Sequence, residues 1–197
     1  MKNCLIILTV LTLTGCAGLY RSIEPENMEY FTYSKLNDSV DISYNYNTQA
    51  KFNNKKYRKA ERKSGFVAVS IKIVNNSSDT INILPNTLLV NFNGKPADII
   101  TYKDYVEDVK QATAIYLVYG IFGPWVTNNG STSYIPIGLG IGLLNLGVAS
   151  YANNRHEKDM KKLEIWGKSI KPKSSANGII FLRNYTYDEI KFVYLKY

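Results

Sequence analysis

The sequence predicts a mainly β fold, an antiparallel β-sandwich with an inserted apolar α-helical hairpin. Two observations support this prediction. Several short segments alternate between apolar and polar residues, and clusters of turn-forming residues separate them. In the middle of the chain the alternation stops, and two long apolar stretches, residues 112–126 and 134–151, flank a polar turn. Period-two alternation is typical of strands with one buried face, whereas long apolar stretches are typical of buried or membrane-bound helices.

The first strands are predicted in the N-terminal half of the chain. Residues 40–46 alternate between apolar and polar side chains, which indicates a half-buried strand. Residues 66–74 have the clearest strand pattern. The turn cluster at 75–78 follows them, so we expect a hairpin in which residues 80–84 are the returning strand.

A second group of strands is predicted around a tight turn and at the C-terminus. Asn93-Gly94 follows the alternating residues 87–92, and this dipeptide favours a two-residue hairpin turn because both residues tolerate positive φ. Residues 97–102 are the expected partner strand. The last two strands are expected at residues 179–183 and 189–197.

The two apolar stretches predict the helical hairpin, with its turn at residues 127–133 and charged residues on both flanks. A charged helix over 153–166, ending at Gly167, is expected to follow it. Three roles remain open for residues 112–151: packing over the sandwich as core, dipping into a membrane, or self-association and contact with a protein partner. Glycines four residues apart allow close helix approach in an apolar medium. The predicted membrane or partner contacts are Gly138, Gly142, Trp125, Ile121 and Leu143.

Residues 51–63 are rich in Lys and Arg and have no apolar stripe, so they are predicted to form a solvated loop. The whole chain has 24 basic and 16 acidic residues, a net charge of +8. The loop is either a charged connection or a binding patch for anionic lipid or glycan, and no nucleic-acid partner is expected. The residues predicted to bind the anionic polymer are Lys55, Lys56, Arg58, Lys59 and Arg62.

The N-terminus has the features of a short secretory signal. Lys2 is the positive start, Leu5–Leu13 is an apolar core too short to span a bilayer, and the small residues Thr14 and Gly15 precede Cys16. This arrangement resembles the lipobox of bacterial lipoproteins. The resemblance implies that the signal is removed before Cys16, that the Cys16 thiol receives a diacylglyceryl group, and that the new amino terminus is acylated. The expected membrane partner is therefore bound through the acylated Cys16.

The same resemblance suggests where the protein is located. Ala17 follows the cysteine where an aspartate would resemble an inner-membrane retention signal, and residues 17–22 contain no acidic run. We therefore expect a periplasm-facing position on the outer membrane. The predicted organisation is a signal peptide at 1–15, a lipidated tether at 16–35, a β-sandwich at 36–101 and 168–197, and the inserted hairpin with its charged helix at 102–167.

No residue pattern predicts catalysis, a metal site or a cofactor. Cys4 leaves with the signal and Cys16 is acylated, so the mature chain retains no thiol. His156 is the only histidine, and its charged neighbours predict a surface position. Asp104, Glu107 and Asp108 have helical spacing and are expected on a solvated face rather than around a cation.

The strand pattern loosely resembles immunoglobulin-like domains of bacterial envelope lipoproteins. Together with the absence of a catalytic motif, this resemblance predicts a non-catalytic envelope module for binding or assembly. The alternative is a hydrolase that acts on envelope glycans or lipids through carboxylates, which would need two or more buried acids in a cleft.

Overall fold

The computed structural model of the chain describes residues 17–30, 32–37, 39–92, 94–118, 123–128, 130–135, 137–183 and 189–195. The predicted signal peptide, Cys16 and Ile121 lie outside these residues. The chain divides into two compact units. The larger unit contains residues 21–110 and 156–197, and the smaller unit contains the described residues 17–20 together with 111–155.

Within each unit, the strands pair in antiparallel fashion. Within the described residues they are β1 Thr32–Asn37, β2 Val40–Asn45, β3 Phe66–Asn75, β4 Ile81–Asn82, β5 Leu88–Phe92, β6 Lys95–Pro96, β7 Ile99–Ile100, β8 Trp125–Asn128, β9 Ser131–Tyr134, β10 Ser169–Ile170, β11 Ser174–Arg183 and β12 Ile190–Tyr194. In the larger unit they form a five-stranded sheet in the order β1-β2-β3-β11-β7, a three-stranded sheet in the order β12-β5-β6, and the pair β10-β4. The prediction of a β-rich, antiparallel fold is confirmed.

The helices are distributed over both units. The described helices are α1 Thr48–Lys51, α2 Lys55–Ser64, α3 Tyr102–Val109, α4 Ile115–Val118 and α5 Ile137–Leu163, with a 3-10 helix at Pro25–Asn27. Helix α3 begins with a capping box, in which Asp104 N–H donates to Thr101 Oγ1 and Thr101 N–H donates to Asp104 Oδ2. Among the described residues, no helix has both the length and the apolar character that are needed to cross a bilayer.

The core of the larger unit lies along the alternating strands. Val40, Ile42 and Tyr44 of β2 are buried together with the inward residues of β3, and the cluster also includes β5 and β12. Tyr44 contacts Phe192 at 5.7 Å between ring centroids, and its hydroxyl accepts a hydrogen bond of 2.9 Å from Ile190 N–H. Burying these apolar side chains stabilises the unit by about 25 cal/mol per Å² of apolar area.

Strand pairing differs from the prediction at β3. The expected hairpin partner, residues 80–84, contributes only β4, which pairs with β10. Strand β3 instead pairs with β2 and along its whole length with β11. A central strand buried on both faces gains more from two long neighbours than from a two-residue return, so non-local pairing overrides the local turn signal. The predicted turn near Gly94 is confirmed, because β5 pairs with β6 across it and Gly94 has a φ of 74°. The expected partner strand at residues 97–102 is wrong, because the partner is Lys95–Pro96 and β7 pairs with β11.

The predicted helical hairpin is wrong. In the described residues of the first arm, 112–118 and 123–126, the regular elements are the four-residue helix α4 and the start of strand β8. Strand β8 pairs with β9 across the predicted polar turn. At the base of this β-hairpin, a Cβ on Gly123 would lie 2.1 Å from the carbonyl oxygen of Ile135, so only glycine fits there. The second arm and the predicted charged helix are one continuous 27-residue helix, α5.

A single buried stripe explains the continuity of α5. The stripe is made of residues three or four positions apart that are buried or half-buried, which is the helical period: Gly138, Gly142, Asn145, Ala149, Ala152, His156 and Met160. The opposite face is exposed and changes from apolar to charged at Arg155. Glycine lowers helix stability, but burial of the stripe offsets that cost.

Two further segments differ from their predictions. Of the basic residues 51–63, Lys51 ends α1 and residues 55–63 lie in α2, so most of this segment is helix rather than a solvated loop. The predicted tether is packed: Ile23, Pro25 and Met28 are buried, and β1 begins at Thr32. Neither segment has a long apolar run, because each buries only a few side chains, and this is why composition alone suggested a loop and a tether.

Candidate functional site

Helix α2 carries all five of the predicted anion-binding residues, and its two ends are well defined. At its start, Asn54 is buried, accepts a hydrogen bond of 2.8 Å from Arg21 N–H on Oδ1, and donates from Nδ2 to the Arg21 carbonyl at 2.9 Å. At its end, Gly65 has a φ of 75° and its N–H donates to the Glu61 carbonyl. Glycine at this position ends helices because it adopts the left-handed conformation without strain.

One narrow face of α2 is buried and the rest is exposed. Tyr57 and Glu61, one turn apart, point into the larger unit and are 0% and 4% exposed. Every Lys and Arg of the helix is exposed: Lys55, Lys56, Arg58, Lys59, Arg62 and Lys63. The helix therefore presents six cations to solvent, and it includes all five residues that the sequence predicted for anion binding.

The two cations in the first turn of α2 are not explained by the stability of the helix. Arg62 and Lys63 lie in the last turn, where the helix dipole favours positive charge. No carboxylate of the described residues lies within 4.0 Å of any cation of α2. Lys55 and Lys56 occupy the first turn, where the helix dipole disfavours positive charge by about 0.3–1 kcal/mol each. Lys55 and Lys59 are like charges four residues apart, which adds repulsion. A local rule broken without a compensating contact is typical of functional surfaces.

A polar network lies beneath α2 and connects it to the rest of the larger unit. Glu61 Oε1 accepts hydrogen bonds from Ala68 N–H at 2.9 Å and from the Tyr105 hydroxyl at 2.8 Å. Gln49 Nε2 donates to the Tyr105 hydroxyl at 2.9 Å and lies 3.2 Å from His156 Nε2. Since an amide nitrogen only donates, His156 Nε2 is the acceptor in this contact.

His156 contradicts its predicted surface position. Its side chain is fully buried, and its ring stacks on Tyr57 with 4.1 Å between centroids and 27° between planes. Tyr105 stacks in turn on Phe181 at 4.7 Å. The stacked aromatic rings thus hold two groups of the network in position: the Tyr105 hydroxyl, which donates to Glu61, and the His156 imidazole, which contacts Gln49.

Burial shifts both ionisable members of this network toward their neutral forms. Burial raises the pKa of Glu61 to about 8, although the Ala68 and Tyr105 hydrogen bonds and the charges of Arg58 and Arg62 oppose the shift. Burial lowers the pKa of His156 to about 3. Glu61 is the only acid of α2, so at neutral pH it does not offset the six cations of the helix.

The three acids that the sequence predicted on a solvated face belong to α3. Asp104 closes the capping box of α3, Glu107 forms an ion pair with Lys110, and Asp108 is exposed. Glu164 is half-buried, accepts from Tyr102 N–H, and has its pKa raised by burial. In the part of the chain that the structure describes, no group of three His, Cys, Asp or Glu side chains could hold a metal ion.

The residues predicted to contact a membrane or partner differ in their exposure to solvent. Trp125 and Leu143 are 71% and 53% exposed, so both are available for contact. Gly138 and Gly142 lie on the buried stripe of α5, and their role in membrane or partner contact stays a prediction. Ile121 lies outside the described residues.

Comparison of the chain with protein-family models, with characterised proteins and with solved structures finds no match.

The sequence reasoning missed the buried network. Gln49, Glu61 and Tyr105 come from three different segments, and no local pattern marks them as neighbours. His156 did carry a signal: it lies four residues after Ala152 and four before Met160, on the continuation of the apolar stripe of α5. This spacing is easy to overlook, because the change from apolar to charged residues makes the two halves of α5 look like separate helices in the sequence.

Proposed function

We propose that the protein is a lipid-anchored bacterial envelope protein that acts as a non-catalytic binding or assembly module. It is anchored through acylated Cys16 and faces the periplasm from the outer membrane. The surface of α2 binds anionic envelope polymers, either phosphate-bearing glycans or acidic lipid head groups. The observation that supports this function best is the set of six exposed cations on α2, two of them in the first turn where they oppose the helix dipole.

The architecture of the larger unit fits such a module. We infer that its five-stranded and three-stranded sheets pack face to face as an immunoglobulin-like sandwich, because one apolar cluster contains residues of β2, β3, β5 and β12. The hydrolase alternative needs a pair of buried acids, and the described residues offer none. Glu61 is buried away from solvent, and no second buried acid accompanies it in the described residues.

The anchor is tested by changing the residue that would carry it. Replacing Cys16 by alanine in the full-length protein is expected to abolish incorporation of labelled fatty acid and cleavage of the signal before residue 16. Labelling and the mass of the N-terminal peptide measure both. An unlabelled wild-type protein with a mature N-terminus elsewhere would overturn the anchor.

The binding surface is tested with K55Q/K56Q/K59Q in the mature Cys16→Ser chain. Each lysine near an anionic surface contributes about 1 kcal/mol, so we expect about 100-fold weaker binding to phosphatidylglycerol vesicles at low salt. Lipopolysaccharide is the second probe and separates a glycan ligand from a lipid ligand. Binding to either should also weaken as salt is raised.

The matched control removes the same charge elsewhere. K95Q/K171Q/K191Q changes three exposed lysines of other elements. It should weaken binding no more than about threefold through net charge alone. The α2 variant should unfold at the same or slightly higher urea concentration, because two of its lysines oppose the helix dipole. Equal losses in the two variants would mean that net charge, and not α2, binds the polymer.

A further inference from the structure

The smaller unit is unusual in charge and in exposed apolar area. The sequence from Gln111 to Asn154 contains no Asp, Glu, Lys, Arg or His. Most of the large exposed apolar side chains of the described residues belong to this unit: Leu19, Ile115, Leu117, Val118, Trp125, Val126, Tyr134, Ile135, Leu139, Leu143, Leu144 and Tyr151. Surfaces of this kind mark contact with a membrane or a partner.

The exposed apolar residues occur on two elements. On the β-hairpin, Trp125 and Tyr134 are a cross-strand pair with 5.2 Å between ring centroids, and every residue of β8 and β9 is exposed. On α5, the outer face exposes Leu143 and Leu144, the latter to 74%. Trp and Tyr favour the membrane interface, where their rings meet acyl chains and their polar groups meet water.

The N-terminal end of the described chain indicates what covers this surface. Ala17 N–H donates to Asn145 Oδ1 at 2.8 Å, and Gly18 N–H donates to Gln111 Oε1 at 2.9 Å. Gln111 Nε2 donates back to the Gly18 carbonyl at 2.7 Å. Two side chains of the smaller unit thus hold the two residues that directly follow Cys16. The described chain therefore begins on the smaller unit, at the residue next to the proposed acylation site in the sequence.

We propose that the smaller unit lies in the lipid–water interface of the membrane that holds the anchor, with Trp125 and Tyr134 inserted among the lipids. The proposal rests on the acylation of Cys16 proposed above. The unit lies on the bilayer rather than across it, because a two-stranded hairpin has unpaired backbone edges that are costly in hydrocarbon. The first cation after the uncharged stretch, Arg155, lies over the Tyr151 ring at 5.9 Å, an arrangement suited to a headgroup region.

The depth of Trp125 tests the proposal. The mature protein, as cells process it, is reconstituted at high salt into phosphatidylcholine vesicles with brominated acyl chains. The signal of Trp125 is the difference between the wild type and Trp125→Phe, so Trp166 stays in place as an internal reference. Trp125 emission should shift to the blue and be quenched by bromine, whereas the Trp166 emission that remains in Trp125→Phe should not be quenched. Trp125 emission that is the same in vesicles and in buffer would overturn the proposal.

A pair of double variants tests the contact without the acyl chain. In the Cys16→Ser mature chain, W125S/Y134S should weaken partition into phosphatidylcholine vesicles at least about tenfold. The matched control L89S/V193S removes another exposed cross-strand apolar pair, from β5 and β12 of the larger unit, and should leave partition within about twofold. Equal effects of the two double variants would overturn the proposal.

The outcomes separate this proposal from the proposed function. Neutral vesicles at high salt give α2 nothing to bind, so K55Q/K56Q/K59Q should retain full quenching of Trp125. The mass of the same sample reports the acyl group on Cys16. If the protein is acylated but Trp125 is not quenched, the proposed anchor stands and the proposed position of the smaller unit in the interface is overturned. A blue shift without bromine quenching, together with dimers in sedimentation, would show that a second copy covers the surface and would also overturn it.

Discussion

Replacing His156 by alanine is expected to lower the free energy of unfolding by about 3 kcal/mol. The substitution removes a fully buried ring that stacks on Tyr57 at 4.1 Å, and the cavity that remains costs roughly 2–5 kcal/mol in comparable cores. It also removes the imidazole acceptor from Gln49 Nε2 and so leaves a buried donor under-satisfied. Urea denaturation followed by circular dichroism measures the change.

Two variants make this result specific. Glu157 is exposed, so Glu157→Ala should change the free energy of unfolding by no more than about 0.5 kcal/mol. His156→Phe keeps the ring stacking but not the acceptor, so it should fall between wild type and His156→Ala. A loss of 0.5 kcal/mol or less in His156→Ala would contradict the buried position and restore the surface histidine that the sequence predicted.

The stability of the protein is expected to be greatest between about pH 4.5 and 6.5 and to fall on both sides. The folded state keeps the Glu61 proton up to its pKa of about 8, whereas the unfolded chain loses it near 4.5. Stability from Glu61 is therefore complete below pH 4.5 and is lost as pH rises toward 8. Each proton of difference corresponds to about 1.4 kcal/mol per pH unit.

His156 has the opposite dependence. Its folded pKa is about 3 and its ordinary value is 6.5, so the folded state binds fewer protons than the unfolded chain in this interval. Stability from His156 is complete above pH 6.5 and is lost as pH falls toward 3. Between 4.5 and 6.5 the two slopes oppose each other, which gives the plateau.

Glu61→Gln isolates the alkaline side of this profile. Glutamine keeps an oxygen that can accept from Ala68 N–H and from the Tyr105 hydroxyl, so the variant should remain folded near pH 6. It has no proton to lose, and its stability should not fall between pH 6.5 and 8. A wild-type protein that is equally stable at pH 6 and pH 8 would show that Glu61 is not held neutral by burial.

The sequence by itself determined three of the main strands, but it did not indicate β1, β8 or β9. The alternation at residues 40–46, 66–74 and 87–92 corresponds to β2, β3 and β5, because period-two burial is a local property of a strand. It also determined the uncharged character of residues 111–154 and the cations of α2. The lipobox and its acyl anchor remain predictions, since Cys16 lies outside the described residues.

Only the tertiary structure decided which segments meet. Strand β3 pairs with β11, about one hundred residues away along the chain, and no turn signal encodes such a partner. Helix α2 needs only Tyr57 and Glu61 to turn inward, too few residues to produce an apolar stripe in the sequence. His156 is buried because α5 runs unbroken from its apolar half into its charged half, so that the same stripe continues through both. The sequence shows the charge of each residue, but whether a residue is buried depends on the hydrogen-bonding and packing partners that distant segments provide.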